Sequence, residues 1–329
     1  MWLAAALLYP VPGASEVHFE SGFGLRNHNP FLQIFGLPTY KSAWLTAADK
    51  PTFDISFDLA NHADAGENAH ERVVIDGESY FLTIAYRARA TDWLELGVEL
   101  PFVAHSDGFM DKGIDGWHDL LGLSNSKRSG PGNALQFLYE RDGQTLVDFR
   151  SPASGLGDIQ LTAAMPLRRS GALEPFGVSL RASLKLPTGD DDQLRGSGAA
   201  DFALGIHAAD EFRVRQHDVA VSAFAGALLL GDSDVLAALQ RETVPYGGIA
   251  ATWQATDRLG ITSQLYVQGR YLRSELDELG GNSYQLAVGG NYQLRSRNTL
   301  LRFALVEDVS DNATTDFALH FSVQWHGGS

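Results

Sequence analysis

The sequence predicts an all-β protein, an antiparallel transmembrane β-barrel of about 12 strands with an N-terminal plug-like coil. Three observations predict it. Segments of about ten residues alternate apolar with polar or small side chains, the connections between them alternate between short and long, and the final segment is an aromatic-rich dyad repeat. In the segment 94–102, Leu94, Leu96, Val98, Leu100 and Phe102 fall on one face of a strand, and Glu95, Gly97 and Glu99 on the other. One face suits lipid and the other water.

Composition narrows the class further. The chain has 329 residues and a formal charge of −15, which argues against a nucleic-acid partner, since nucleic acids select basic surfaces. Cysteine is absent, which removes disulfides and thiol chemistry. The hydrophobic share of 44% is ordinary, as expected of a barrel whose lumen-facing polar residues dilute the apolar signal.

At the N-terminus an apolar run, residues 2–9, precedes the small-residue region 10–15, so residues 1–15 are expected to be an export signal; no basic residues lead it, and a buried strand is the alternative. That run, and the longer apolar run 219–230, are too short for a membrane helix. Residues 16–52 lack sustained periodicity and form a plug or periplasmic segment. Arg26, Asn27, Asn29 and Pro30 mark a turn-rich stretch within it, before Phe31, Leu32, Ile34, Phe35 and Trp44. A bare linker would not carry so many apolar side chains, so a packed segment is expected.

The barrel follows over 53–325, with a tail at 326–329. Its strands are expected at 53–59, 80–88, 94–102, 159–167, 176–186, 202–208, 219–230, 249–255, 261–271, 286–294, 300–306 and 317–325. The shorter connections are 91–92, 168–174, 209–217, 256–259 and 295–298. The longer ones are 61–77, 104–158, 187–199, 231–243, 273–281 and 307–314. Short turns on one rim and long loops on the other, with both termini on the short-turn side, are the mark of an outer-membrane meander. A soluble lipocalin-like barrel also alternates faces, but has fewer strands and keeps its apolar face inside.

Within 104–158, residues 117–123 suggest a short helix, and Asp142-Gly143 between two alternating runs suggests an external hairpin over 132–150. In the last strand Phe317, Leu319, Phe321, Val323 and Trp325 share a face, similar to the C-terminal insertion signal read by the barrel-assembly machinery.

Arg26-Asn27-His28-Asn29-Pro30, Asp107-Gly108-Phe109 and Trp117-His118-Asp119-Leu120-Leu121-Gly122-Leu123 resemble an uncharacterised family of Gram-negative outer-membrane β-barrels. Gly155-Leu156-Gly157-Asp158-Ile159, Lys185-Leu186-Pro187-Thr188-Gly189-Asp190 and Gly196-Ser197-Gly198 are similar to outer-membrane barrels associated with transport in phenol degradation. These resemblances imply an outer-membrane location and carry no established activity.

Strand parity places Arg87, Arg89, Glu95, Glu99, Asp158, Gln160, Arg181, Lys185, His207, Gln254, Gln264, Arg270 and Arg302 toward the lumen, because a charge on the lipid face near the midplane costs about 2–4 kcal/mol. Both signs are present, which suits a small, water-lined passage. In the long loop, Phe109 and Trp117 offer apolar contact, and His105, Asp107, Asp111, His118 and Asp119 polar selection, for a small amphipathic or hydrophobic solute.

The expected function is therefore a passive channel. The alternatives are a lipid-modifying hydrolase centred on His118, with Ser106 or Ser124 as nucleophile, and a structural barrel without a ligand. The acidic runs 190–192 and 307–308 fit solvated loops better than calcium sites; no cofactor, metal or nucleotide motif is present. The expected partners are outer-membrane lipid and lipopolysaccharide, the barrel-assembly machinery and a small-molecule solute.

Overall fold

The computed structural model describes residues 21–108, 135–168, 176–296, 298–309 and 313–327. Its strands are β1 (Thr52–Glu67), β2 (Glu71–Thr91), β3 (Leu94–Ser106), β4 (Gln136–Arg141), β5 (Gln144–Phe149), β6 (Ala153–Leu156), β7 (Gln160–Arg168), β8 (Gly177–Lys185), β9 (Asp201–Val214), β10 (His217–Leu229), β11 (Thr243–Gln254), β12 (Leu259–Gln268), β13 (Ser283–Gln293), β14 (Thr299–Asp308) and β15 (Phe317–His326). β1, β2, β3 and β7 to β15 pair antiparallel with their neighbours. β15 returns to β1 in register from Thr52↔His326 to Asn61↔Phe317, so these twelve strands close a barrel. Closure leaves this ring without a free edge, the condition for crossing lipid with strands. No helix among the described residues is long and apolar enough to cross a membrane.

The dyad fixes which face points where. On β2, Leu82, Ile84 and Tyr86 are exposed, while Phe81, Thr83, Ala85 and Arg87 are buried. The same alternation puts Leu96, Leu100 and Phe102 of β3 and Phe202, Leu204 and Ile206 of β9 outside. An outward apolar band with a filled polar interior inverts the pattern of a soluble barrel. Toward the short-turn rim the band carries Phe53, Tyr86 and Trp325, which lie side by side in register, together with Trp93, Trp253 and Tyr292. Such an aromatic girdle sits at the membrane interface. On the outer wall, Ala223, Ala251 and Ser263 lie between Ile249, Leu265 and Leu286 and thin the surface into a concavity of about 640 Å³, which faces lipid and not the lumen.

Two expected connections are strand instead. Residues 61–77 carry the β1–β2 ladder out to Glu67↔Arg72, leaving residues 68–70 as the turn. Residues 209–217 continue β9 and β10 to a two-residue turn in which Arg215 takes φ 58°. These extensions lack the apolar–polar alternation that marks a strand in lipid, because outside the bilayer the outer face meets water and in β1 and β2 the inner face buries polar His62, Asp64 and Glu71 beside Val73 and Ile75. A bilayer needs only about 9–11 residues of each strand, so β1 and β2 project well beyond it.

On the projecting part of β2 the hairpin β4–β5 adds two more strands, turning at Asp142 and Gly143, both with positive φ. That is the backbone a two-residue hairpin turn demands. The inner face of this small sheet, with Val73, Ile75, Phe137 and Tyr139, is buried, so the sheet leans over the barrel mouth. The helix expected over 117–123 lies outside the described residues. A single helical turn, Asp277–Gly280, lies in the loop between β12 and β13.

Candidate functional site

The N-terminal segment, residues 21–50, runs inside the ring. It starts beside β10 and β12, where the Ser222 hydroxyl donates to the Ser21 carbonyl (2.9 Å) and the Phe23 N–H donates to Gln264 Oε1 (2.6 Å). It climbs to the long-loop mouth, turns at residues 29–33, and descends to the start of β1. Asn27 and Asn29 make the turn locally: their side-chain oxygens accept the N–H groups of Asn29 and Phe31 (2.9 and 3.0 Å). This is the side-chain-to-backbone bonding that suits asparagine to turns. Pro30, which follows Asn29 and has no N–H to satisfy, is buried.

Beyond the turn, Phe31, Leu32, Ile34 and Phe35 pack against Leu194, Val235, Leu239, Tyr271 and Leu279 from the long loops and against the overhanging sheet. The outer end of the barrel is thus an apolar core.

The inner half is ionic. Glu99 of β3 is gripped by two cations of the N-terminal segment, Arg26 (2.5 Å) and Lys41 (3.0 Å), and accepts from the Thr39 hydroxyl (3.3 Å). Glu95 lies between Arg181 (3.1 Å) and Arg87 (3.7 Å) and accepts from the Thr46 N–H (2.6 Å). Arg181 also donates to the Ser42 carbonyl (2.8 Å), and His207 bonds the Lys41 carbonyl (2.8 Å). Around β15 and β1, His320 pairs with Asp58 (2.6 Å) and Arg302 lies 3.7 Å from Asp54. Bringing such groups out of water is tolerable only because each has a partner.

A further cluster joins wall and segment where β7 begins and β8 ends. Lys185 is buried and reaches Asp158 (2.5 Å), Asp201 (3.3 Å), Ser197 Oγ (2.6 Å) and the Ala199 carbonyl (2.8 Å). Asp158 also accepts the N–H groups of Thr188, Gly189 and Ser197, and Asp201 those of Gly36 and Gly231. Side chains therefore stitch the wall where the backbone ladder has stopped. The glycines of the two motifs make room for this: a Cβ at Gly155 would strike the Arg195 guanidinium, and one at Gly196 the Asp158 carboxylate.

The structure thus turns Arg87, Glu95, Glu99, Asp158, Gln160, Arg181, Lys185, His207, Gln264 and Arg302 inward and buries them. Arg89 and Gln254 are half-buried near the inner rim. Arg270 is a correction: β12 ends at Gln268, the alternation stops there, and Arg270 is exposed on the loop beyond.

Of the expected loop residues, His105 is buried in the outer core, where its Nδ1 bonds Ser79 Oγ (2.8 Å); Ser79 in turn bonds His62 Nε2 (2.9 Å). Asp107 is exposed, so His105 and Asp107 do not converge. Phe109, Asp111, Trp117, His118 and Asp119 lie outside the described residues. His62 and Ser79 were not singled out because they fall in or next to the stretch expected to be loop. Among the described residues no group of three or more His, Cys, Asp or Glu is placed to hold a metal ion.

The family described as a protein of unknown function (DUF3187) matches residues 14–326. The chain belongs to that family. Its fold is similar to that of the COG4313 outer membrane channel from Pseudomonas putida F1, with a TM-score of 0.54 at 15% identity over 89% of this chain and 98% of that one. At that identity the likeness shows the fold, a barrel of the Gram-negative outer-membrane type. The NanC porin (TM-score 0.45, 5% identity, 83% of this chain and 98% of that one) and the KdgM porin (0.41, 10%, 84% and 99%) are more distant. No curated protein sequence matches this DUF3187 chain.

Proposed function

We propose that this protein is a passive outer-membrane channel for a small amphipathic molecule, held closed by its own N-terminal segment acting as a plug. The observation that carries the reading is the way Glu99 is neutralised. Two of its partners, Arg26 and Lys41, belong to the segment and not to the wall, so withdrawing the segment would leave a charged, hydrated lumen. An apolar outer end above an ionic inner half suits a solute with both characters. Lipid and lipopolysaccharide around the apolar band, and the barrel-assembly machinery, remain the proposed partners.

A structural barrel is favoured by the pairs made wall to wall, such as Lys185 with Asp201 and Arg181 with Glu95. The hydrolase alternative rests on His118, outside the described residues. Ser79 and His105 are within hydrogen-bond reach of each other but fully buried, beyond the reach of a lipid ester.

Planar-bilayer conductance tests the proposal. Deleting residues 19–50 should raise conductance, with heat-modifiable gel migration as the check on folding. A second variant leaves the plug in place: an ideal Cβ at Gly36 lies 2.9 Å from that of Asp201, closer than the roughly 3.5–4.5 Å of a disulfide, so slight retreat of the segment would allow a bond. Because the chain has no cysteine, Gly36→Cys with Asp201→Cys forms a single possible bridge. Openings of the full-length protein to the level of the deletion variant should vanish on oxidation and return on reduction. A folded deletion variant that does not conduct would defeat the channel reading.

A further inference from the structure

The plug does not fill the lumen evenly. Among the described residues two small cavities lie on one side of it, one of about 30 Å³ with a mainly polar lining and one of about 20 Å³ with a mixed lining in which Phe81 and Val103 stand beside Asp158 and Arg195. The first is bounded by the segment and by β14, β15, β1, β2 and β3, with Asp54, Arg87 and Arg302 toward the inner rim. The second continues outward past Thr83 to the stitched wall at Asp158 and Arg195. Each is about the size that holds one water. Arg26 and Thr83 line both, so the Arg26 side chain stands between them. The opposite arc, at β11 and β12, is occupied by direct contacts between wall and segment and within the wall. Examples are Gln264 with Phe23, Tyr266 with the Pro38 carbonyl (2.8 Å), and Thr252 with Thr262 (2.6 Å).

We propose that solute crosses along this one side while most of the plug stays seated, and that Arg26 is the gate, drawn from Glu99 by a carboxylate on the solute. The inference rests on the channel reading and names its route and the solute class, a small carboxylate. Arg26 is suited to the role by what it leaves behind. When its guanidinium turns from Glu99 Oε2, that carboxylate keeps Lys41 at 3.0 Å and the Thr39 hydroxyl at 3.3 Å, so the movement strands no buried charge. A planar guanidinium also offers an incoming carboxylate two parallel hydrogen bonds. The move joins the two cavities without unfolding either half.

Conductance of the oxidised Gly36→Cys/Asp201→Cys protein, its plug tethered at the outer end, separates a local gate from wholesale release. In that background Arg26→Ala should raise potassium chloride conductance several-fold, to a level well below that of the 19–50 deletion, whereas Thr252→Ala on β11, across the barrel, should leave it unchanged. In the untethered wild-type chain, acetate should raise the frequency of openings, while glucose at equal osmolarity should not, and Arg26→Ala should abolish the difference. A tethered Arg26→Ala protein that stays silent while the deletion variant conducts would overturn this route and spare the channel. So would an Arg26→Ala conductance equal to that of the deletion. A folded deletion variant without conductance would remove the channel reading itself.

Discussion

The outer and inner halves of the lumen are closed by different physics. Outside, Phe31, Ile34 and Phe35 pack into an apolar core with the long loops and the overhanging sheet. Inside, the segment is held by ion pairs and by hydrogen bonds to its backbone. An apolar core gains from every contact and resists piecemeal opening, because a void costs as much as the contacts that would line it. An ionic lining can exchange partners, since water, a solute or a second cation can replace a lost one. The difference teaches that one segment can be anchored by packing at one level and held by exchangeable ion pairs at another.

Three perturbations sharpen that contrast. Phe31→Ala in the outer core should cost about 3–5 kcal/mol, as expected for emptying a buried aromatic site, in urea unfolding from lipid vesicles. A loss of less than about 1 kcal/mol would mean the outer end is loosely packed and the contrast false. Phe57→Arg, on the lipid face of β1 at a register level with Phe321 and Leu82, should cost about 2–4 kcal/mol in the same assay. Insensitivity there would place that level outside the hydrocarbon.

The third and smallest effect concerns the overhang. Glu71 accepts from Ser274 Oγ (2.6 Å) and the Glu275 N–H (2.9 Å), tying β2 to the loop after β12 on the far side of the mouth. Burial by itself would raise the Glu71 carboxyl, but the Ser274 and Glu275 bonds and nearby Arg141 outweigh it and hold the group below its ordinary value. Its stabilisation is therefore complete above the unfolded carboxyl's range, near about pH 4.3, and is lost as pH falls through the lower folded value. Protection factors over β4 and β5, the exchange rates divided by the intrinsic rates at the same pH, should fall in acid, with Glu71→Gln showing the lower protection already at neutral pH. Unchanged protection in both would show that the overhang does not depend on this tie.

The strands were legible because lipid imposes its own grammar. Leu82, Ile84 and Tyr86 had to face outward and Thr83, Ala85 and Arg87 inward, and the period of two is visible without knowing any contact. The outer ends of β1 and β2 were not legible, since their buried face carries polar His62, Asp64 and Glu71 beside Val73 and Ile75, so burial no longer shows as apolar against polar. Inward direction could be read for Lys185, Asp158 and Glu99. Their partners could not, because Lys185 meets Asp201 and Glu99 meets Arg26 and Lys41 only once the chain has closed around the segment. Arg270 shows the limit of parity: alternation says which way a residue would point if the strand continued, and β12 does not continue that far.

The pairing of β15 with β1 also constrains how the protein is made. The segment that leads directly into β1 lies within the ring, with its turn under the overhanging sheet. Because it is covalently joined to the first strand of the seam, docking of β15 against β1 and seating of the segment are coupled steps of one assembly, and a change that loosens the segment is felt at the seam.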